Sequence, residues 1–342
     1  MDNISDSFRL FCSQQIVALI VTATNVRAKE VHDQWNQQHP DKQKKRRSTT
    51  ADELYAFFGL CLLAGVFRGR REPISSLWTG TASYQRPVFP ATMNRERMKQ
   101  LKSFLRFDDE ATRIERRATD KLAAIRDVFD EFDRNCTIAM NVGPDLTIDE
   151  HMIAFRGNCP FRQYIPTKPG KYGKKVWVLA DNRNYYANKL QVYTGASLDG
   201  TREVGQGARV VRDLTAHPKK GYGVTMDNFF TDVALAEELL SRDITVVGTM
   251  RANKRDIPDI MKANREREVK SSVFLFDGHI TMVSYVPKKN KAVVLISSQH
   301  HDKAVGTEEQ QLKPEIILHY NQTKSSFGIY SNRNNAAMIN DA

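Results

Sequence analysis

The 342-residue chain has only four cysteines, Cys12, Cys61, Cys136 and Cys159, and no two of them form a CxxC pair. Thiols so few and scattered argue against a zinc ribbon and against a disulfide-stapled secreted scaffold, and fit a reducing cytosolic or nuclear compartment. Met1–Ser7 is acidic and lacks the basic segment of a secretory leader. Long hydrophobic runs are missing as well. Ile16–Ala23 and Phe57–Phe67 are too short or too interrupted to span a bilayer, so the expectation is a soluble chain with no membrane partner. No internal repeat is visible, which argues against a solenoid.

What is present is an ordinary globular composition, 41% hydrophobic and 27% charged, at a length that supports a sizeable core and two or three domains. The charge balance is less ordinary. With 51 basic against 40 acidic residues the formal net charge is +11, which points to a polyanionic partner, nucleic acid being the commonest.

Up to about Gly143 the pattern is helical. Apolar positions at helical spacing run from Asp6 to about Gln38, and Asp41–Arg47 (DKQKKRR) follows as a basic, solvated loop or a nuclear-import signal. Thr50 has the look of an N-cap, opening a helix whose stripe is Leu54, Phe57, Phe58, Cys61, Leu62 and Gly65. Met93–Leu105 and Asp120–Cys136 predict two further helices, and Trp35 and Trp177 are expected in the core. The texture then changes. Short β-like runs at Val176–Ala180, Leu190–Tyr193 and Gly223–Thr225 precede a helix, Thr231–Leu240, and a strand, Ile244–Thr249. After Ala252 four more β-like runs appear: Val273–Phe276, Ile280–Tyr285, Ala292–Ser297 and Ile316–Tyr320. The fold class is therefore α/β, a helical N-terminal part followed by a mixed sheet.

Two aspartates close apolar β-like segments, Asp149 in LTIDE and Asp227 in VTMDN. Carboxylates held at the ends of neighbouring strands can share Mg²⁺, a hard cation that takes oxygen ligands. Such ions can drive an in-line phosphodiester displacement. Aspartate at a strand end is also common in plain turns. The stretch from His151 to Ala180 strengthens the first reading, because it contains no acid. It carries Arg156, Arg162, Lys168, Lys171, Lys174 and Lys175, interleaved with Phe155, Phe161, Tyr164 and Tyr172. Cations neutralise phosphates and aromatic rings stack on bases. Arg251, Lys254 and Arg255 are a second candidate phosphate grip, with Asp256 and Asp259 nearby favouring a solvated loop. Glu150 is expected to face away from Asp149 as an ion-pair partner, Asn228 to orient Asp227, contact DNA or cap a helix, and His300, His301 and Asp302 to form a polar loop.

The segments Leu146–Asp181 and Val224–Pro258, with Ser103–Phe132 and YNQTK at Tyr320–Lys324, closely resemble the piggyBac transposase family, in order along nearly the whole chain. The resemblance implies a helical dimerisation and DNA-binding domain over 1–143 and an RNase H-like catalytic domain over 144–252. It also implies a β-rich insertion over 253–315 and an incomplete return to the catalytic domain over 316–342. It further implies three aspartates holding two Mg²⁺, the first two at Asp149 and Asp227, and a nuclear homodimer acting on transposon-end DNA and TTAA targets. In the family the third aspartate follows the YNQTK-like segment in a GGVD motif. Here Lys324 is followed by Ser325, Ser326, Phe327 and Gly328, and Asp341 is the only later carboxylate. The expectation is a DNA-binding relative with a weakened Mg²⁺ centre and one face of the sheet laid bare. An active cut-and-paste transposase and a non-enzymatic interaction protein or remnant are the alternatives.

Overall fold

The computed structural model describes residues 3–67, 72–79, 86–166, 168, 170–196, 200–201, 203–216 and 220–324. They form two units, Met1–Asn135 and Cys136–Ala342.

The first unit is helical among the described residues. Its elements are α1 (Ile4–Phe11), α2 (Gln14–Gln38), α3 (Ala51–Val66), α4 (Ile74–Trp78), α5 (Val88–Thr92), α6 (Arg95–Phe104) and α7 (Arg113–Arg117). The next helix, α8 (Arg126–Ala139), runs past the boundary. The helical spacing read from Asp6 to about Gln38 is carried by two helices. The Ser13 hydroxyl accepts from the Ile16 amide and starts α2 afresh, a local bond that a serine favours over a helix interior. Thr50 does cap α3, accepting from Glu53. The buried arc of α3 is Leu54, Phe57 and Leu60, centred on Phe57, and it leaves Cys61, Leu62 and Gly65 exposed, contrary to the expected stripe. α8 starts later than Asp120, because that carboxylate accepts from the Leu122 amide and grips the Arg126 guanidinium, holding the intervening residues in turns. Trp35 is not a core residue. It is half-buried, its ring stacked on His39 at 3.9 Å with the Lys44 ammonium over it at 3.5 Å. Among the described residues no single helix is long and apolar enough to cross a membrane.

The second unit is built on a sheet. Its elements are β1 (Asp145–Ala154), β2 (Gln163–Tyr164), β3 (Tyr172–Asp181), β4 (Ala187–Val192), α9 (Gln206–Leu214) and β5 (Tyr222–Met226). Then come α10 (Val233–Leu240), β6 (Ile244–Met250), β7 (Ser272–Asp277), β8 (Ile280–Lys288), β9 (Lys291–Ser297) and a helix at 315–324, α11. Among the described residues nine strands share one sheet in the order β2-β3-β1-β5-β6-β9-β8-β7, with β4 also on β3. β4, β3 and β1 are antiparallel, whereas β5 and β6 run parallel to β1, the RNase H-like mixed arrangement. The strands after Ala252 join the same sheet, β9 pairing with β6.

One face of this sheet carries α9 and α10. Val210, Leu214, Leu235 and Leu239 are buried there against Leu146, Ile148, Val224 and Met226. Each such aliphatic side chain contributes roughly 1.5–3 kcal/mol relative to exposure. Asp232 caps α10, accepting from the Leu235 amide. The other face carries α11. Ile316–Tyr320, expected as a strand, is helical: Ile316, Ile317, Tyr320 and Thr323 fall on one helical face behind Pro314, and so short an apolar run does not separate the two periods. Ile316, Ile317 and Tyr320 pack on Val247, Val283 and Leu295. The face expected to lie bare is therefore covered over β6, β8 and β9.

Two buried threonines tie α11 to the central strands. Thr225 Oγ1 lies 2.8 Å from Thr323 Oγ1, and Thr147 Oγ1 donates to the Thr323 carbonyl at 3.2 Å. Thr323 Oγ1 itself donates to the His319 carbonyl, so the Thr225 hydroxyl donates to Thr323. Thr225→Val removes that bond while preserving shape. It is expected to lower unfolding free energy by about 1 kcal/mol in urea denaturation.

Candidate metal and nucleic-acid site

Parallel pairing of β1 with β5 sets Ile148 beside Met226. The next residue in each segment is an aspartate. Asp227 comes directly after the end of β5, as expected, whereas Asp149 lies inside β1, which runs on to Ala154 rather than ending there. Neighbouring strands lie about 4.8 Å apart. Since side chains alternate along a strand, the buried Leu146, Ile148, Val224 and Met226 face α9 and α10. Thr147, Asp149, Thr225 and Asp227 therefore face α11. The structure brings the two sequence-selected aspartates into one cleft of about 350 Å³, which Asn228, Thr249, Tyr320 and Lys324 also line.

Each carboxylate is oriented by backbone. Asp149 Oδ1 accepts from the Glu150 amide at 2.7 Å, and Asp227 Oδ1 from the Phe229 amide at 2.9 Å. The Asp227 carbonyl accepts from the Thr231 amide at 3.1 Å and from the Thr231 hydroxyl at 2.8 Å, closing a tight turn straight after β5. Gly248 of β6 makes room for that turn, because a Cβ there would collide with Thr231 Oγ1. Burial pushes the Asp149 carboxyl above the usual carboxylate range, reinforced by the charges of Asp227 and Glu150 and opposed by the Glu150 amide and Lys168. Burial likewise pushes the Tyr320 phenol up, with Asp227 and Asp149 adding to the rise and a bond to Thr249 opposing it.

Tyr320 and Lys324 are the residues that sequence reasoning missed. They stand one helical turn apart on α11, with the Lys324 ammonium 5.2 Å from the centre of the Tyr320 ring. Among the described residues Lys324 is the only cation lining the cleft. The YNQTK segment was the available signal, but its register as a helix over the sheet was not legible. Gly328 and Asp341, named for the third ligand position, lie outside the described residues.

The basic residues divide by face. Glu150 lies opposite Trp177 on the α9 side, where it pairs with Lys175 at 2.7 Å, while Lys168 stands 4.0 Å away. Lys174 caps the Phe155 ring at 3.9 Å, Arg162 lies over Tyr172 at 5.4 Å, and Arg156 and Lys171 are exposed. Elsewhere Lys254 is held by the Thr231 carbonyl and the Asp232 carboxylate, and Arg251 donates to Asn228, which does not cap a helix. Arg255 is exposed. His300 and His301 fall in the loop after β9, with His300 Nδ1 at 2.9 Å from Ser297 Oγ. Among the described residues no group of three or more His, Cys, Asp or Glu side chains is placed to hold a metal.

A family model described as Transposase IS4 matches residues 5–337. The chain belongs to this transposase family. Its piggyBac character follows from a cryo-EM structure of piggyBac transposase in a synaptic complex with hairpin DNA. The two match with a TM-score of 0.85 and 33% identity, over 97% of this chain and 68% of that one. PiggyBac transposable element-derived protein 3 of Homo sapiens is 26% identical over 275 residues, 77% of this chain and 43% of the relative. PiggyBac transposable element-derived protein 2 of Homo sapiens is 24% identical over 249 residues, 71% of this chain and 39% of the relative. The chain thus spans less than half the length of these two curated relatives.

Two outcomes test the piggyBac-type site. A carboxyl whose folded pKa is raised stabilises the fold fully below the ordinary carboxylate range, and that stability is lost as pH rises through the raised value. Asp149→Asn is therefore expected to raise the urea midpoint at neutral pH, with the advantage shrinking as the pH falls through the raised value and gone below about 4. Gly248→Ala is expected to lose about 1–3 kcal/mol by the overpacking it forces at Thr231, measured in the same denaturation.

Proposed function

We propose that this chain is a transposase-derived DNA-binding protein whose metal centre keeps two carboxylates, Asp149 and Asp227, and does not complete DNA cleavage and strand transfer. The observation that carries the reading is the convergence of those two side chains in one cleft of a sheet whose adjoining hairpin is basic and, from His151 to Ala180, free of acid. Transposases of this family generally use a divalent metal, and the donor set fits one. Two hard oxygen donors lie on adjacent strands, and burial disfavours the charge on Asp149, which a cation would relieve. Bound there, Mg²⁺ would polarise a phosphodiester and its attacking oxygen.

The chain's own groups do the rest. The amides of Glu150 and Phe229 aim the carboxylates, and Lys324 offers a positive charge to a phosphate at the cleft wall. Arg156, Arg162, Lys171 and Lys174, which have no carboxylate partner among the described residues, would neutralise the duplex backbone. Incomplete chemistry follows from the sequence after Lys324, where Gly328 stands in the family's third aspartate position and offers no side-chain oxygen. Two carboxylates hold two dications close together less firmly than three, and phosphoryl transfer depends on their placement. With DNA as partner the place of action is the nucleus. A homodimer and TTAA targets belong to the same reading through the family resemblance.

Equilibrium binding to duplex DNA across a salt series tests the first half. Replacing Arg156 and Lys171 together by Gln should reduce the slope of log K against log salt by about two. Labelled transposon-end DNA with Mg²⁺ or Mn²⁺ tests the second. Wild type should give no product beyond that of Asp149→Ala, and a cleavage product that Asp149→Ala abolishes would overturn the inactive reading.

A further inference from the structure

The outer end of the β1–β3 hairpin holds an exposed pair of aromatic rings that the cleft does not use. Tyr164 of β2 stands directly across from Tyr172 of β3, with ring centres 4.7 Å apart and planes inclined at 37°. Although packed on each other, the two residues remain 56% and 44% exposed. The Arg162 guanidinium lies 5.4 Å above the Tyr172 ring. Isolated exposed apolar residues are ordinary. A paired, cation-capped aromatic surface on a basic hairpin is a different feature.

Strand register fixes which way it faces. β1 and β3 pair without a shift from Leu146–Asp181 to Ala154–Gly173, and Phe155 N–H continues the ladder onto the Tyr172 carbonyl. Alternation then sets Tyr172 and Lys174 on the sheet face of Asp149. At about 3.3 Å per residue the tyrosines lie about 20 Å along the strands from Asp149. The side chains between them on that face are His151, Ile153, Lys174 and Val176, none of them acidic.

We propose that Tyr164 and Tyr172 form a stacking platform for an unpaired nucleobase of DNA whose phosphates follow this face toward the Asp149 cleft. The proposal rests on the DNA-binding reading above and narrows it to a substrate class, duplex DNA with a frayed or single-stranded end. Inside a duplex every base face is already stacked, so a ring platform gains contact only from a base that has left the stack. Stacking is indifferent to base identity, whereas Arg162 and Lys174 supply the charge that holds the backbone.

The test compares the full chain, in chelator, on two probes. One is a duplex with a short single-stranded overhang carrying 2-aminopurine, the other the same duplex blunt. Wild type should bind the overhang about tenfold more tightly and quench its fluorescence. The Tyr164→Ala/Tyr172→Ala variant should lose both effects, while Tyr164→Phe/Tyr172→Phe, which keeps the rings, should retain them. Equal affinity of wild type for the two probes without quenching, or a preference that survives in the double alanine variant, overturns the platform. Salt-dependent binding to the blunt duplex in that case leaves the DNA reading standing. Absence of salt-dependent binding to either probe removes both.

Discussion

The parallel pairing of β1 with β5 is the constraint on which the site depends. Side chains repeat every two residues along a strand, so a slip of one position would turn Asp149 into the core under α9 and α10 and expose Ile148. Leu146, Ile148, Val224 and Met226 prevent that slip, because all four are buried on one face and each would have to leave it. Apolar burial thus places two acids side by side that would otherwise repel each other. The electrostatic cost is carried mainly by the scaffold, with the Lys168 charge offsetting part of it at Asp149. Among the described residues no ion pair joins Lys324 to either aspartate, and backbone amides are what hold the two carboxylates.

The same alternation sorts the basic residues. On the α9 side, Lys175 sits 2.7 Å from Glu150 and beside the Trp177, Tyr193 and Phe229 rings, a half-buried arrangement that makes it part of the framework. On the Asp149 side, Lys174 and Arg162 meet aromatic rings instead of carboxylates. A run of cations that is uniform in sequence therefore divides into structural members and members whose charge remains available to a polyanion.

Helix α11 links the periphery of the unit to the cleft. Its apolar side covers β6, β8 and β9, Thr323 bonds to the two central strands, and Tyr320 and Lys324 complete the cleft wall. Anything that loosens this helix also opens the environment that raises the Asp149 carboxyl and the Tyr320 phenol, so packing and electrostatics at the site are coupled through one element.

Local chemistry written in the sequence determined a good deal by itself. Net charge and the acid-free stretch marked a basic hairpin, the LTIDE and VTMDN runs marked two β segments carrying aspartates, of which only Asp227 stands at a strand end, and Thr50 marked a helix start. These signals depend on neighbours within a few residues, which is why they survive without a fold. Other features waited for tertiary structure. Whether Ile316–Tyr320 is strand or helix depends on the sheet it lies against. Whether Cys61 and Leu62 are buried depends on what surrounds α3, and Gly248 matters only because Thr231 comes to rest against it. Tyr320 and Lys324 reach a cleft whose aspartates, Asp149 and Asp227, lie about ninety to one hundred and seventy-five positions earlier. Side-chain period and charge are properties of a segment. Register, facing and close approach are properties of pairs of segments, and only the folded chain brings those pairs together.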